Sequence, residues 1–249
     1  MRLRRTLLAV PVAAALPLLA PSAAQADESH QIRLEQLNDS GASGTATVEV
    51  SGDAMTVSID ASGLVPNAPH AQHLHGSADD DTDFHCPSAS ADRDGDGVVS
   101  TVEGLPAYGD VFISLTTKGD TSKKSGLALD RFPTADAEGN LSYQRTIQLP
   151  DGVADKIRNL HVVQHGIDTN GNGKYDLESL GESPLAKSAG LEDVPLEGTA
   201  PANCGMIHGA AAGAVPAGGV ETGHGSTHGP DSLALYAVGG LALTGAAGA

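Results

Sequence analysis

Apolar and polar residues alternate with a period of two through several short stretches, as in Thr45-Ala46-Thr47-Val48-Glu49-Val50 and Met55-Thr56-Val57-Ser58-Ile59-Asp60. Such alternation gives a segment one apolar face and predicts half-buried β-strands. Strand character recurs over 31–37, 45–50, 55–61, 70–75, 111–117, 126–131, 141–149 and 160–165. Clusters such as Ser51-Gly52-Asp53 and Glu138-Gly139-Asn140 separate these segments as turns. Helical period is weak, and residues 153–158 predict only one or two turns. The pattern predicts an all-β fold, an antiparallel β-sandwich or flattened barrel with long loops, in one domain over residues 27–208.

The two ends read differently. Residues 1–26 have the three parts of a secretory signal peptide: Arg2, Arg4 and Arg5, an apolar stretch, and Ala24-Gln25-Ala26 before Asp27. Removing three arginines and no acidic residue takes the formal net charge from −17 to −20. So acidic a surface disfavours nucleic acid and anionic lipid as partners and favours cations. Residues 209–231 form a Gly/Ala/His-rich linker, and 232–249 an uncharged, anchor-like stretch. The run Val215-Pro216-Ala217-Gly218-Gly219 resembles the sorting region of actinobacterial wall-anchored proteins, although no cationic tail follows the apolar stretch. The expectation is a secreted protein tethered to the cell wall or membrane.

The chain has no Trp and few aromatics, so a core of Val, Leu, Ile and Ala gains less from burial than usual. Cross-links would offset that deficit. An exported chain with two cysteines is expected to pair them, Cys86 with Cys204.

Two features carry chemistry. In a strand, alternate residues share a face, so His73 and His75 project together, and His165, closing the run Leu160-His161-Val162-Val163-Gln164-His165, can supply a third imidazole from a neighbouring strand. Three imidazoles suit one transition-metal ion, which suggests copper or zinc chemistry or the remains of it. The second feature is the twelve-residue run 92–103, which carries the EF-hand calcium pattern at every key position. Oxygen ligands would come from Asp92, Asp94, Asp96, the Val98 carbonyl, Ser100 and Glu103, with Gly97 at the sharp turn. Gly104-Leu105-Pro106 is expected to break the helix that follows such a loop. A weaker copy offers Asp168, Asn170, Asn172, the Lys174 carbonyl and Asp176, but its twelfth position is Ser179, so the bidentate ligand is missing unless Glu178 reaches in. Asp79, Asp80, Asp81 and Asp83 read as a solvated charge run.

Several of these residues resemble the copper/zinc superoxide dismutase family. The segment Gly63-Leu64 to His70-Ala71-Gln72-His73-Leu74-His75 is similar to the one bearing two of its copper ligands, Leu160–His165 to the strand ending in a later ligand, and Cys86 with Cys204-Gly205-Met206-Ile207 to its disulfide pair. The resemblance covers residues 31–208 and implies a Greek-key fold with copper on His73, His75 and His165. It also implies departures. No histidine lies between Cys86 and His161 to bridge a second metal or hold zinc, leaving only His85 as a substitute, and no cation occurs in Thr199-Ala200-Pro201-Ala202-Asn203 where the family places an arginine. Zinc is therefore not expected, and any dismutase activity would be degenerate. His73-Leu74-His75-Gly76 is also similar to a strand of CHRD (chordin-repeat) domains, which implies a non-catalytic interaction module.

Overall fold

The computed structural model describes residues 27–77 and 84–207. The expected signal peptide, the run Asp79, Asp80, Asp81 and Asp83, the linker and the apolar C-terminal stretch lie outside the described residues. Eight antiparallel strands form one sheet: β1 (Glu28–Gln36), β2 (Ser43–Ser51), β3 (Ala54–Ser62), β4 (Gln72–Gly76), β5 (Asp110–Ser114), β6 (Leu141–Gln148), β7 (Leu160–His165) and β8 (Pro201–Met206). Their order across the sheet is β5-β4-β7-β8-β1-β2-β3-β6.

The alternation seen in the sequence sets how the sheet curls. On β1, Ile32 and Leu34 point inward, on β2 Ala46, Val48 and Val50, and on β3 Met55, Val57 and Ile59, while their neighbours face solvent. These side chains meet Leu74 of β4 and Leu160 and Val162 of β7 in one apolar core, so the sheet bends into a curled half-barrel around them. The bend falls where β1 passes from β2 to β8, pairing Glu35 with Cys204 and Gln36 with Asn203. Across the open side, Arg145 of β6 donates to the carbonyls of Thr116 and Gly119, and Tyr143 Oη to that of Thr116 at 3.2 Å, tying one sheet edge to the chain leaving the other.

Two sequence expectations change. Residues 126–131 make turns, not a strand, because Arg131 folds back to donate to the Lys118 and Asp120 carbonyls and to Ser125 Oγ. The segment after Ser100 is a helix, α1 (Thr101–Tyr108), despite Gly104 and Pro106. Ser100 and Glu103 form a reciprocal capping box at its start. Gly104 leaves the space that the Tyr108 ring fills, since a Cβ there would lie 2.5 Å from that ring. Pro106 forfeits only the bond to the carbonyl of Val102, on the exposed side of the helix. Among the described residues no helix is long and apolar enough to cross a membrane.

Unlike β1–β3, strands β4 and β7 are buried on both faces. Their outer face is covered by the described parts of three long connections, 84–109, 115–140 and 166–200. The expected disulfide Cys86–Cys204 is present and stitches the first of these to β8, with Tyr108, Val163, Leu37 and Leu105 packed around it. It closes a loop with a sequence separation of 118 residues. Opening such a loop returns about 4–5 kcal/mol of chain entropy to the unfolded state. A Cys86→Ser/Cys204→Ser variant is therefore expected to lose stability of that order in urea unfolding and to become sensitive to proteolysis within 84–109.

Candidate metal centre

Strand alternation carries His73 and His75 to the outer face of β4, opposite Leu74, and His165 to the same face of β7. His75 lies opposite His161 in that pairing. The ring centroids stand 5.4 Å apart for His73 and His75, 5.1 Å for His73 and His165, and 5.7 Å for His75 and His165. All three residues are buried. The sequence expectation that three imidazoles separated along the chain converge on one place holds geometrically.

Each ring spends one nitrogen on a main-chain carbonyl. His73 Nε2 donates to Gly126 at 3.0 Å, His75 Nδ1 to Gly109 at 2.9 Å, and His165 Nδ1 to Thr199 at 2.7 Å. A carbonyl only accepts, so those nitrogens carry the protons and the other three carry lone pairs. These remaining atoms, His73 Nδ1, His75 Nε2 and His165 Nε2, have no hydrogen-bond partner. One ligand nitrogen from each ring lies within 4.8 Å of the others. Burial is the main force keeping the rings neutral: it pushes His73 well below the ordinary histidine range, His75 to about 3 and His165 to about 4, helped at His73 and His75 by the neighbouring imidazoles. Three buried, unprotonated, unpartnered nitrogens facing one space form a donor set that fits a transition metal, and the carbonyl partners fix ring orientation as second-shell groups do in metal proteins.

The residues that orient the trio had no signature in the sequence. Thr101 Oγ1 lies 3.2 Å from His165 Nδ1 and donates to the Thr199 carbonyl at 2.5 Å. Tyr108 stacks on His75 with centroids 4.4 Å apart and anchors its hydroxyl to the Thr101 carbonyl. Gly109, at φ +79°, brings its carbonyl to His75, and a Cβ there would sit 2.7 Å from the Gly76 Cα. His70 stays out of the trio. Its ring lies between the carbonyls of His165 and Val65, beside Tyr175 Oη. His85 is exposed and outside the cluster, so it does not stand in for a missing ligand.

A cavity of about 420 Å³ opens onto the three histidines, with Lys123 and Lys124 among its lining residues. Lys123-Lys124 is the one adjacent basic pair in the chain after residue 26, and Lys123 is ion-paired with Asp110, which lines the same cavity.

In the 92–103 loop, Asp92 accepts from the main-chain N–H groups of Gly95 and Gly97, Asp94 from Asp96, and Asp96 from Val98. The carboxylates of Asp92, Asp94 and Asp96 each present an oxygen within 4.8 Å of the others. Glu103 Oε1 accepts from Arg93 N at 2.8 Å and Oε2 from Ser100 N at 2.9 Å, the second and ninth loop positions. The 168–179 loop repeats the design with an unexpected residue in the last role. Glu197, in the short helix α4 (Leu196–Thr199), accepts Thr169 N at 2.9 Å on Oε1 and Asp176 N at 3.0 Å on Oε2, again the second and ninth positions. Ser179 instead hydrogen-bonds Thr169 Oγ1, and Asp176 caps the helix α2 (Leu177–Leu180). The carboxylate that sequence spacing sought at Ser179 or Glu178 comes from eighteen positions beyond Ser179.

No protein-family profile matches the chain, and no curated protein sequence is significantly similar to it. The site is therefore read from its own geometry. Metal-free, it makes the fold acid-sensitive. An imidazole held neutral when folded takes up a proton on unfolding, so stability is fully present above the unfolded histidine value near 6.5 and falls as pH drops toward the folded values of about 3 and about 4. Each such histidine contributes a slope of about 1.4 kcal/mol per pH unit. Denaturant midpoints of metal-free protein are expected to fall steeply between pH 6.5 and 4.5, and a His73→Gln/His75→Gln variant to flatten that slope.

Proposed function

We propose that the protein is an exported metal-binding β domain whose three-histidine centre holds one copper ion and whose two acidic loops hold calcium. The observation that carries the copper reading is the set of three buried nitrogens, each deprived of a proton by a carbonyl on the far side of its ring, all facing one space. Imidazole sites bind copper(II) most tightly among the first-row divalent ions, which favours copper where no other feature selects the metal. Copper held there would supply one-electron chemistry between two oxidation states. The chain's own part is to keep the rings neutral by burial, fix their tautomers through Gly109, Gly126 and Thr199, and restrict access to the cavity above them.

Placement of β6 beside β3 and of β7 beside β4 across long connections is in keeping with a dismutase-like fold, and a CHRD-like module remains the alternative. A second reading, a copper-only dismutase-like enzyme acting on superoxide, is favoured by one observation. Lys124, unlike Lys123 with its Asp110 partner, has no acidic partner among the described residues and lines the same cavity as the histidines, which gives an anion a local attractive potential. The calcium reading is supported by the matched use of Glu103 and Glu197. Secretion, with tethering through the C-terminal stretch, remains the localisation that the chain ends and the disulfide support.

Elemental analysis tests the centre directly. Mature protein exposed to copper and desalted is expected to keep about one copper per chain, and a His73→Ala/His165→Ala variant to keep none. A wild-type protein that retains no copper would refute the reading. If the copper form removes superoxide, the double variant is expected not to, and turnover that survives those substitutions sinks the enzyme reading. For calcium, the ion is expected to raise the melting temperature of the wild type and to raise it less in Glu103→Ala and in Glu197→Gln. An unchanged calcium response in both would remove the ion from the account.

A further inference from the structure

The cavity above the histidines is larger and greasier than a metal site needs. A diatomic anion displaces about as much space as a water, about 30 Å³. The cavity measures about 420 Å³, within the range of pockets that enclose small organic ligands. Its walls are leucines: Leu127 and Leu129 from the turns after β5, and Leu185 and Leu191 from either end of the helix α3 (Pro184–Ser188). Leu191, 38% exposed, is one of three large apolar side chains that the described residues leave open to water. Lining a superoxide channel with four leucines would serve nothing, since apolar surface left in water costs about 25 cal/mol per Å².

The polar groups in the cavity are just as selective. Lys123 is paired with Asp110, whereas Lys124, its neighbour, has no acidic partner among the described residues. The net charge of −20 acts weakly here. At physiological salt charges are screened over about 8 Å, so one unpaired lysine at the cavity outweighs carboxylates on the far side of the domain. At the base stand the three histidine nitrogens.

We propose that this cavity binds a bulky hydrophobic monoanion, an organic carboxylate, with its charged end toward Lys124 and its apolar body against Leu127, Leu129 and Leu191. The apolar walls set the size and hydrophobicity of the ligand. Lys124 and the metal, where this inference rests on the copper reading above, set its charge. A small organic anion is then the ligand of the centre.

The test compares 4-tert-butylbenzoate with acetate on the copper-loaded protein, followed by calorimetry and by the copper(II) electron paramagnetic resonance spectrum. The bulky anion is expected to bind at least about tenfold more tightly, a gain of about 1.4 kcal/mol from apolar burial. Leu191→Asp, half in water already, is expected to erase that preference while copper content stays at one per chain. Lys124→Glu is expected to weaken both anions severalfold. Equal affinity for the two anions, or a preference that survives Leu191→Asp, overturns the proposal. If the wild type takes up no copper, the centre fails and the cavity is judged on metal-free protein. Benzoate-induced shifts in the methyl resonances of Leu127 and Leu191 would then sustain it, and their absence would overturn it.

Discussion

A neutral imidazole has one nitrogen that donates and one that accepts, and in this protein the backbone decides which is which. Gly109, Gly126 and Thr199 each present a carbonyl to one ring, and each belongs to a different long connection across the outer face of the sheet. The strands place the rings, but the connections fix their tautomers. Were any one connection to lift away, its histidine would regain a free choice of proton position and water would reach the lone pair. The centre is therefore a property of the loops being in place as much as of the strands that bear the ligands.

Different devices hold the three connections. The first is stitched to β8 by Cys86–Cys204 and ends in α1, whose Tyr108 packs beside that bridge and against His75. The second is organised around Asp120, which accepts from the hydroxyls of Ser125 and Ser122; those bonds hold its carboxyl below the usual aspartate range. Arg131 braces the same turn and so delivers the Gly126 carbonyl to His73. The third is pinned by Glu197, fully buried yet satisfied by the Thr169 hydroxyl and by the N–H groups of Thr169 and Asp176. A buried carboxylate survives only when its oxygens are bonded in this way. Apolar contact adds to these devices, since Val98, Leu115, Ala135 and Ile167 of the connections join the main core.

Strand character in the sequence marks seven of the eight strands, through one-sided alternation in β1–β3 and through short runs in β4 and β7, which are buried on both faces. It misled at 126–131, where the apolar residues line a cavity instead of a sheet, and periodicity does not distinguish those two uses. Gly104 and Pro106 argued against α1 because single-residue propensities ignore what a gap is for. Here the gap holds Tyr108, and the capping box at Ser100 and Glu103 outweighs one lost bond. The three histidines were legible since strand geometry relates them simply. Their carbonyl partners were not, because a main-chain group has no residue type to betray it. Glu197 was missed for a related reason: motif spacing looks for the carboxylate that closes a loop close by in sequence, whereas this one arrives through tertiary structure.

That last point links the acidic loops to the histidine centre. The 92–103 loop runs directly into α1, whose first residue is Thr101. The 168–179 loop is closed by Glu197, two residues before Thr199. Thr101 and Thr199 meet at His165 Nδ1, the hydroxyl of one donating to the carbonyl of the other within reach of the same ring nitrogen. The orientation of His165 thus depends on both loops at once, through covalent neighbours and short hydrogen bonds with no flexible side chain between. In each loop a glutamate holds the N–H groups of the second and ninth positions, so the backbone is already drawn into a ring before any ion neutralises the aspartates. What remains costly is the mutual repulsion of Asp92, Asp94 and Asp96, which together with burial raises Asp96 above the usual aspartate range. A cation there would relieve that repulsion and stiffen the loop that carries Thr101, so the acidic loop and the histidine cluster share one mechanical element.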